Sequence, residues 1–596
     1  MLDRKVKVKI SLMDEDVLLK IQKPARYIGR ELNIANKDFN KAEVRFALCF
    51  PGLYEVGMSN LGLRIIYGIL NDLSGVSCER FFAPAPDMEN VLRTNKIQIS
   101  SLESGRNIKE FDFVGFSLGY ELNYTDVLNI LDLGLIPLKA SLRDRNYPLV
   151  IGGGSCVLNP EPMSDFFDMF LIGEAEEAIC EVIDIYRKNK ERFKSGRISK
   201  EDLLFEFCRI KGIYVPSLYE VIKSHNGKIQ DFRPKLKGVP LRIEKRFVRD
   251  LDNSYFPRQW LLPYIQIVHD RITLEIMRGC PNACRFCQAK FQYHPFRQRG
   301  VASILNLAED IYKRTGYEEI SLCGLSVSDY PHIEYLVESL IALFKPEGIS
   351  ISLPSIKPKF FLGNLSSLIA TIKKTGLTFA PEAGTERLRR IINKNFNIDN
   401  FLKTIEQSYS CGYQRVKLYF MIGLPGETKE DLDGIIDLAN YVSEIRRKFS
   451  KQPGIVNISV NALIPKPHTP FQWLAMEDID NIRVKQNYLR GKAKNKRLKL
   501  NFHNPQMSFL EGVLSRGDRA LGEVILRVFQ DGIRFDNQDF SFVFQKWMDA
   551  FSIAGINPGF YLQQRLMDEI LPWDFIDIGV DKKDLIDDFS NCHKIK

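Results

Sequence analysis

The sequence predicts an α/β protein in three parts: a doubly wound parallel-sheet domain, a barrel or part-barrel of six βα units, and a mostly helical C-terminal appendage. Two series of short apolar runs alternating with helical stretches, over 42–190 and from 271 to about 467, predict the first two parts, and the helical pattern beyond about 470 predicts the third. A further observation is a cysteine triplet at the end of the first apolar run of the second series. The chain has 596 residues, which at about 150 residues per domain allows roughly four units. Hydrophobic residues make up 45% and charged residues 26%, ordinary globular usage that excludes wholesale disorder. The net charge of +9 is mild for this length and permits a nucleic-acid partner without demanding one. No stretch of about 18 uncharged apolar residues occurs, so no membrane span is expected. Met1-Leu2-Asp3-Arg4-Lys5 has no apolar segment behind it, so no signal peptide is expected and the protein reads as cytoplasmic.

The elements follow in order. Residues 1–41 are charged and weakly periodic and read as a lead-in helix or loosely attached arm. In the domain assigned to 42–190, the apolar runs 44–50, 78–83, 113–118, 149–152 and 168–172 recur at a spacing of about 20–35 residues that suits a parallel sheet. Pro51-Gly52, Gly152-Gly153-Gly154 and Gly173-Glu174 follow three of these runs, where doubly wound sheets place their ligand crevice. Residues 191–265 form a connector in which 213–222 and 228–232 flank His225-Asn226-Gly227, a hairpin signature. The barrel, 266–470, takes its strands from 272–278, 319–325, 349–354, 377–381, 415–422 and 456–464. The appendage, 471–596, carries one strand at 498–502.

The strongest chemical signal is Arg278-Gly279-Cys280-Pro281-Asn282-Ala283-Cys284-Arg285-Phe286-Cys287. Three cysteines in C-x3-C-x2-C spacing can wrap one metal site from a single loop. A tetrahedral zinc site would need a fourth ligand, for which His294 stands nearby in sequence; a four-iron cluster on three thiolates leaves one iron open. Eleven cysteines in all are too few for a disulfide scaffold.

This loop resembles that of the radical S-adenosylmethionine (SAM) superfamily, with Phe286 as the aromatic residue before the third cysteine. The resemblance implies a partial (β/α)6 radical SAM barrel and a 4Fe–4S cluster on Cys280, Cys284 and Cys287. It also implies SAM bound to the open iron through its amino and carboxylate groups, and an electron donor of the flavodoxin or ferredoxin type. One electron then cleaves SAM to methionine and a 5′-deoxyadenosyl radical, which abstracts hydrogen from substrate. Leu322-Cys323-Gly324-Leu325-Ser326 takes the place of the family's Gly-Gly-Glu element and departs from it, with Gly324 and Ser326 the expected SAM contacts and Cys323 a packed thiol. Ser355, after the third strand, would reach the SAM ribose or carboxylate or cap the next turn. Glu382 in Ala380-Pro381-Glu382-Ala383-Gly384-Thr385 stands at a barrel mouth, where residues serve catalysis. Gly384 and Thr385 are read as cofactor contacts, with helix capping the alternative for Thr385. Lys417, sharing a strand face with Tyr419 and Met421, would meet the SAM carboxylate or a barrel carboxylate. Gly423 belongs to the segment resembling the family's adenine-side strand.

A closer resemblance, over roughly 40–590, is to the largely uncharacterised radical SAM subgroup with an N-terminal cobalamin (B12)-binding-like domain. Its carriers here are Tyr54-Glu55-Val56-Gly57-Met58-Ser59-Asn60-Leu61-Gly62, Gly152-Gly153-Gly154-Ser155, Val268-His269-Asp270-Arg271, Pro381-Glu382-Ala383-Gly384 and Leu571-Pro572-Trp573-Asp574. It implies a flavodoxin-like N-terminal sheet. No histidine precedes His225, so cobalamin would bind without a histidine ligand from this domain. Its tail would lie along the sheet edge at Ser117 and Gly152–Gly154, with Tyr54 near the corrin or substrate; the alternative is a domain without a ligand. Cys49, Cys78, Cys156 and Cys180 share no short spacing and read as core thiols.

In the appendage, Arg483, Lys485, Arg490, Lys492, Lys494, Lys496, Arg497 and Lys499 form a basic run, which reads as a solvated helix face or as phosphate contacts to nucleic acid. The leading expectation is thus a radical SAM iron–sulfur enzyme, with cobalamin-dependent methylation of an unactivated carbon as one route. A tRNA methylthiotransferase-like enzyme and a zinc- or cluster-stabilised RNA-binding protein without catalysis are the alternatives.

Overall fold

The apolar runs of the first series become the strands of one mainly parallel sheet. The computed structural model describes residues 15–352 and 377–592. The chain divides into two units, one running to Val248 with Ser254–Asp270 and Asp518–Ala554 added, the other built from Arg249–Asn253, Arg271–Gly517 and the chain from Gly555 on.

In the first unit the strands are β1 (Val44–Phe50), β2 (Val76–Phe82), β3 (Phe113–Ser117), β4 (Leu149–Gly153), β5 (Met169–Leu171) and β6 (Ile213–Tyr214). They lie in the order β2-β1-β3-β4-β5-β6, with β1 to β5 parallel and β6 antiparallel to β5. The order 2-1-3-4-5 is the flavodoxin-like one, so the expected fold class holds, and the chain reverses between β1 and β3. Every residue of β2 is buried, as in a sheet covered on both faces. The run read as one segment from 213 is two: Pro216 and a short helical turn separate β6 from the hairpin β7 (Tyr219–Lys223) and β8 (Ile229–Pro234).

The described part of the lead-in arm, from residue 15, is tied to the rest of the unit. Leu32 pairs with Leu262, and Lys37 Nζ donates to the carbonyls of Leu73 and Val76 at 2.7 Å each. The Glu31 carboxylate meets Arg80 on β2 at 2.9 Å and accepts from the Tyr54 hydroxyl at 2.9 Å. Arg80 also reaches Glu103 at 2.6 Å. Such a buried group of charges holds only when each partner is satisfied, so the arm supplies a counter-ion that β2 requires.

The appendage is divided between the units. Its helices Leu521–Gln530 and Phe544–Ile553 belong to the first, where two carboxyl groups carry the docking. Asp126, on helix Tyr124–Leu133, accepts from the Phe535 N–H at 3.0 Å. Asp536 accepts from Thr125 Oγ1 and Trp547 Nε1 at 3.1 Å each.

In the second unit β9 (Ile272–Glu275), β10 (Glu319–Cys323) and β11 (Ser350–Ser352) are parallel. So are β12 (Leu377–Glu382), β13 (Arg415–Ile422), β14 (Ile455–Ala462) and β15 (Leu498–Phe502). The strand expected inside the helical appendage is thus a seventh parallel strand, registered on β14 from Val456↔Leu498 to Val460↔Phe502. Along β13, Val416, Leu418, Phe420 and Ile422 enter a core with Leu432, Ile435 and Ala439, while Lys417, Tyr419 and Met421 face the other, partly open side.

Burial pushes the Asp126 carboxyl up to about 8 and that of Asp536 to about 6. The folded state therefore holds protons that the unfolded chain has released. Stability is greatest below the unfolded carboxyl range, falls as pH rises, and levels off above about 8. Asp126→Asn retains the acceptor for Phe535 and should remove about 1.4 kcal/mol per pH unit from the slope between pH 6 and 8. Denaturant unfolding followed by tryptophan fluorescence checks it.

Candidate functional site

The cysteine loop leaves the end of β9 through Gly279, at φ +80°. A Cβ there would stand 2.7 Å from the Tyr293 carbonyl oxygen and 3.0 Å from that of Pro295, so only glycine lets the chain turn this tightly. Arg285 anchors the far side: its backbone N–H donates to the Ile392 carbonyl at 3.0 Å, and its guanidinium meets Asp588 at 2.8 Å. Cys280, Cys284 and Cys287 are all free thiols, Cys284 buried and the others half-buried, and Phe286 is half-buried between them. Burial pushes the Cys284 thiol up to about 11; the neighbouring Lys394 opposes this, while Cys287, Glu382 and Cys280 add to it. Burial likewise raises the Cys287 thiol, against hydrogen bonding from the Lys290 backbone.

Lys394 also pairs with Glu382 at 3.3 Å, so one ammonium serves a carboxylate and two thiols. Sequence reasoning missed Lys394, because no spacing rule connects a lysine after the fourth barrel helix to a loop a hundred residues earlier. Glu382 has φ +69°, rare for a non-glycine residue, at an irregularity in the β12–β13 pairing. Strain of this kind is held at functional positions at a cost of roughly 1–3 kcal/mol.

A second chain of contacts reaches Cys280. Asn282 Nδ2 donates to Cys280 Sγ at 3.2 Å and to Asp329 Oδ2 at 2.8 Å, and Ser326 Oγ donates to the same Asp329 oxygen at 2.7 Å. Ser326 thus joins the cysteine loop, though through Asp329. At Gly324 a Cβ would meet Met277 Cγ at 2.6 Å, so this glycine admits the neighbouring strand end. Cys323 stands apart from the triplet, registered with Glu275, and burial pushes its thiol up to about 11. Arg278 holds Glu275 through two hydrogen bonds of 2.9 Å.

Several expected ligand contacts have structural work instead. A Cβ on Gly384 would collide with the Asp431 carbonyl and lie 2.6 Å from the Ile435 nitrogen, so this glycine lets helix Lys429–Ile445 approach β12. Thr385 caps helix Glu386–Ile391, accepting from Leu388 N at 3.3 Å and donating to the Asp431 carboxylate. The structure thus gives Gly384 a packing role and Thr385 the capping role expected as its alternative. Gly423 donates its N–H to Glu427 at 3.2 Å, and Lys485 bridges Glu427 and Glu477 at 2.6 Å each. This part of the basic run therefore braces a turn, and Lys492 likewise pairs with Asp433 at 3.1 Å. Lys417 Nζ lies 4.7 Å from the centre of the Tyr419 ring. It is registered with Thr378, whereas Glu382 is registered with Phe420, so Glu382 and Lys417 stand about 10 Å apart along the strands. Ser355 lies outside the described residues.

Among the described residues no group of three or more His, Cys, Asp or Glu converges on a single-ion site. His294 instead lines a cavity of about 500 Å³ with Lys290, Asp577, Asp581 and Asp584. A zinc knuckle would need His294 and the three thiols on one ion, whereas a four-iron cluster takes each thiolate on a different iron.

In the first unit, Ser117 ends β3 opposite Gly153 of β4. A Cβ on Gly153 has its nearest neighbour at 3.9 Å and one on Gly119 has none within 4 Å, so these strand ends are open. Gly152 is different: its Cβ position is filled by Phe170 at 2.8 Å and Phe167 at 3.0 Å, while that of Gly154 meets the Leu118 carbonyl at 2.5 Å. Tyr54 is buried with its hydroxyl committed to Glu31.

A family model described as "Radical SAM proteins, N-terminal" matches residues 62–216, and one described as "Radical SAM superfamily" matches residues 274–439. An uncharacterised protein of Methanocaldococcus jannaschii is 29% identical over 483 residues, covering 80% of this chain and 90% of its own. The tRNA-2-methylthio-N(6)-dimethylallyladenosine synthase of a Ruegeria species is 27% identical over 193 residues, covering 30% of this chain and 44% of that enzyme. The radical S-adenosylmethionine methyltransferase TsrM from Kitasatospora setae overlays with a TM-score of 0.45 at 14% identity, covering 70% of this chain and 72% of its own. OxsB, a cobalamin-dependent S-adenosylmethionine radical enzyme, overlays with 0.47 at 11% identity, covering 92% and 79%.

Gly384→Val should destabilise the second unit by about 3 kcal/mol or more through overpacking, and Thr385→Val by about 1 kcal/mol through loss of the cap. Chemical denaturation measures both, and unchanged midpoints would return these residues to the ligand-binding set.

Proposed function

We propose a function from the premise that this chain is a radical SAM protein, matched by the superfamily model across the cysteine loop and strands β9 to β13: it is an iron–sulfur enzyme that cleaves SAM reductively. The carrying observation is the set of three free thiols on one loop, with an amide N–H on Cys280 Sγ and an ammonium beside Cys284 and Cys287. Those groups suit a cluster, because collected thiolates need compensating donors and positive charge. Bound there by Cys280, Cys284 and Cys287, a 4Fe–4S cluster with SAM supplies one-electron cleavage to methionine and a 5′-deoxyadenosyl radical. The chain's own residues do the rest. Gly279 and Arg285 fix the loop, Asn282 stabilises negative charge on Cys280, and Lys394 offsets charge on Cys284 and Cys287 while holding Glu382 at the barrel mouth. Ser326, buried and tied to Asp329, fixes the segment where SAM's amino group is expected. The electron comes from a flavodoxin- or ferredoxin-type donor.

Cobalamin-dependent methylation is the finer reading. A tail sunk beside Gly152 does not fit, because Phe167 and Phe170 fill that space. A corrinoid would rest on the open strand ends at Ser117, Gly119 and Gly153, without a histidine ligand from this domain. The methylthiotransferase reading fits less well, because the N-terminal cysteines sit on separate elements. Cys49 is on β1, Cys78 on β2, Cys156 follows β4 and Cys180 is on helix Ala178–Lys194, and burial raises the Cys49 and Cys78 thiols well above their ordinary range.

Anaerobically reconstituted protein should hold about four iron atoms per chain and form 5′-deoxyadenosine with dithionite and SAM. Replacing all three cysteines with alanine should abolish both. Retention of zinc alone with SAM untouched would overturn the reading. Asn282→Leu removes a hydrogen bond that favours the more negative, reduced state, so potentiometric titration should give a lower midpoint potential at unchanged iron content.

A further inference from the structure

The open face of the second unit's sheet carries rows of polar side chains outside the residues assigned above to holding the cluster. Strand register places Thr378, Lys417, Asn457 and Lys499 side by side on β12, β13, β14 and β15. One step along, Tyr419, Ser459 and Asn501 form a second row, and Met421 and Asn461 begin a third. The residues just before the first row, Val416, Val456 and Leu498, are buried on the opposite face, so the alternation fixes the polar rows on one side. Lys417 is half-buried and Lys499 exposed.

Charge on this face is one-sided. Of the paired strand residues there, only Glu382 is acidic, and Lys394 already occupies it. Lys417 has the Tyr419 ring for a neighbour, and neither it nor Lys499 has an ion-pair partner among the described residues. Neighbouring strands lie about 4.8 Å apart, so the two lysine backbones are about 10 Å apart with Asn457 between them. Four-carbon stems of that reach can bring both ammonium groups onto one anion above Asn457.

We propose that Lys417, Asn457 and Lys499 form the subsite for an anionic group, phosphoryl or carboxylate, of a small polar substrate. The inference rests on the radical SAM reading for its mouth. There the reacting carbon would lie toward Glu382, about 10 Å along the strands from the anion. The second row, with the Ser459 hydroxyl and the Asn501 amide, takes hydroxyl or amide groups on the substrate body. Lys499 thereby gains a role that the basic run did not disclose, while Lys485 and Lys492 of the same run are spent on Glu427, Glu477 and Asp433.

Calorimetric titration of the full, cluster-loaded chain without SAM tests this, with inorganic pyrophosphate and malonate as probes at constant ionic strength. Saturable binding of at least one probe is expected, weakened tenfold or more in Lys417→Met/Lys499→Met and recovered in Lys417→Arg/Lys499→Arg. Binding of pyrophosphate alone assigns a phosphoryl group, and of malonate alone a carboxylate. Asn457→Asp, which sets a negative charge between the lysines, should abolish binding and serves if the methionine variant does not fold. Absence of binding to the natural chain, or equal binding by the natural chain and the variants, overturns the subsite. Formation of 5′-deoxyadenosine by the natural chain is scored separately. Cleavage without anion binding sinks the subsite and leaves the SAM reading, and anion binding without cleavage sinks the SAM reading and leaves a bare anion site.

Discussion

Gathering three thiols on one loop of eight residues is the constraint around which the second unit is arranged. Burial raises the cost of ionising Cys284 and Cys287, and neighbouring thiols add to it, so the loop is viable as a ligand set only if other elements supply donors and positive charge. The contributions come from far apart in the chain. Asn282 is local, Asp329 follows β10, and Lys394 follows the helix after β12. A parallel sheet makes this convergence natural, because every connection returns the chain to the same end of the strands.

Much of the fold was legible in the sequence because buried parallel strands are continuous apolar runs and their turns carry glycine. Five runs in the first series and six in the second all proved to be strands or their cores among the described residues. The strand Leu498–Phe502 is legible, but its alternation with lysine reads as an isolated strand, and only its register with β14 joins it to the sheet. The attachment of the described part of the arm was not legible, because it depends on single polar residues, Glu31 and Lys37, which leave no periodic trace.

Legibility of the site was uneven for a physical reason. The three thiols proposed as cluster ligands sit at close spacing on one loop, so the sequence displays them. Gly384 and Thr385 also stood in a suggestive segment, yet a glycine required by helix approach and a threonine required by a cap look the same in one dimension as ligand contacts. The contacts that distinguish them, to Asp431 and Ile435, lie some 46 and 51 residues away. Lys394 and Asp329 were invisible for the same reason, since their relevance is purely spatial. Gly152 shows the converse: its neighbours Phe167 and Phe170 occupy the room that a glycine-rich turn advertises.

The first unit is threaded from pieces that are far apart in the chain, its last piece being Asp518–Ala554. During synthesis Asp126 and Thr125 emerge some four hundred residues before their partners Phe535 and Asp536. The amino-terminal sheet must therefore wait, with part of its surface uncovered, until the residues around Phe535 and Asp536 have left the ribosome. A shortened chain ending after the barrel would lack that covering piece, so the radical domain and the domain before it cannot be separated by a single cut.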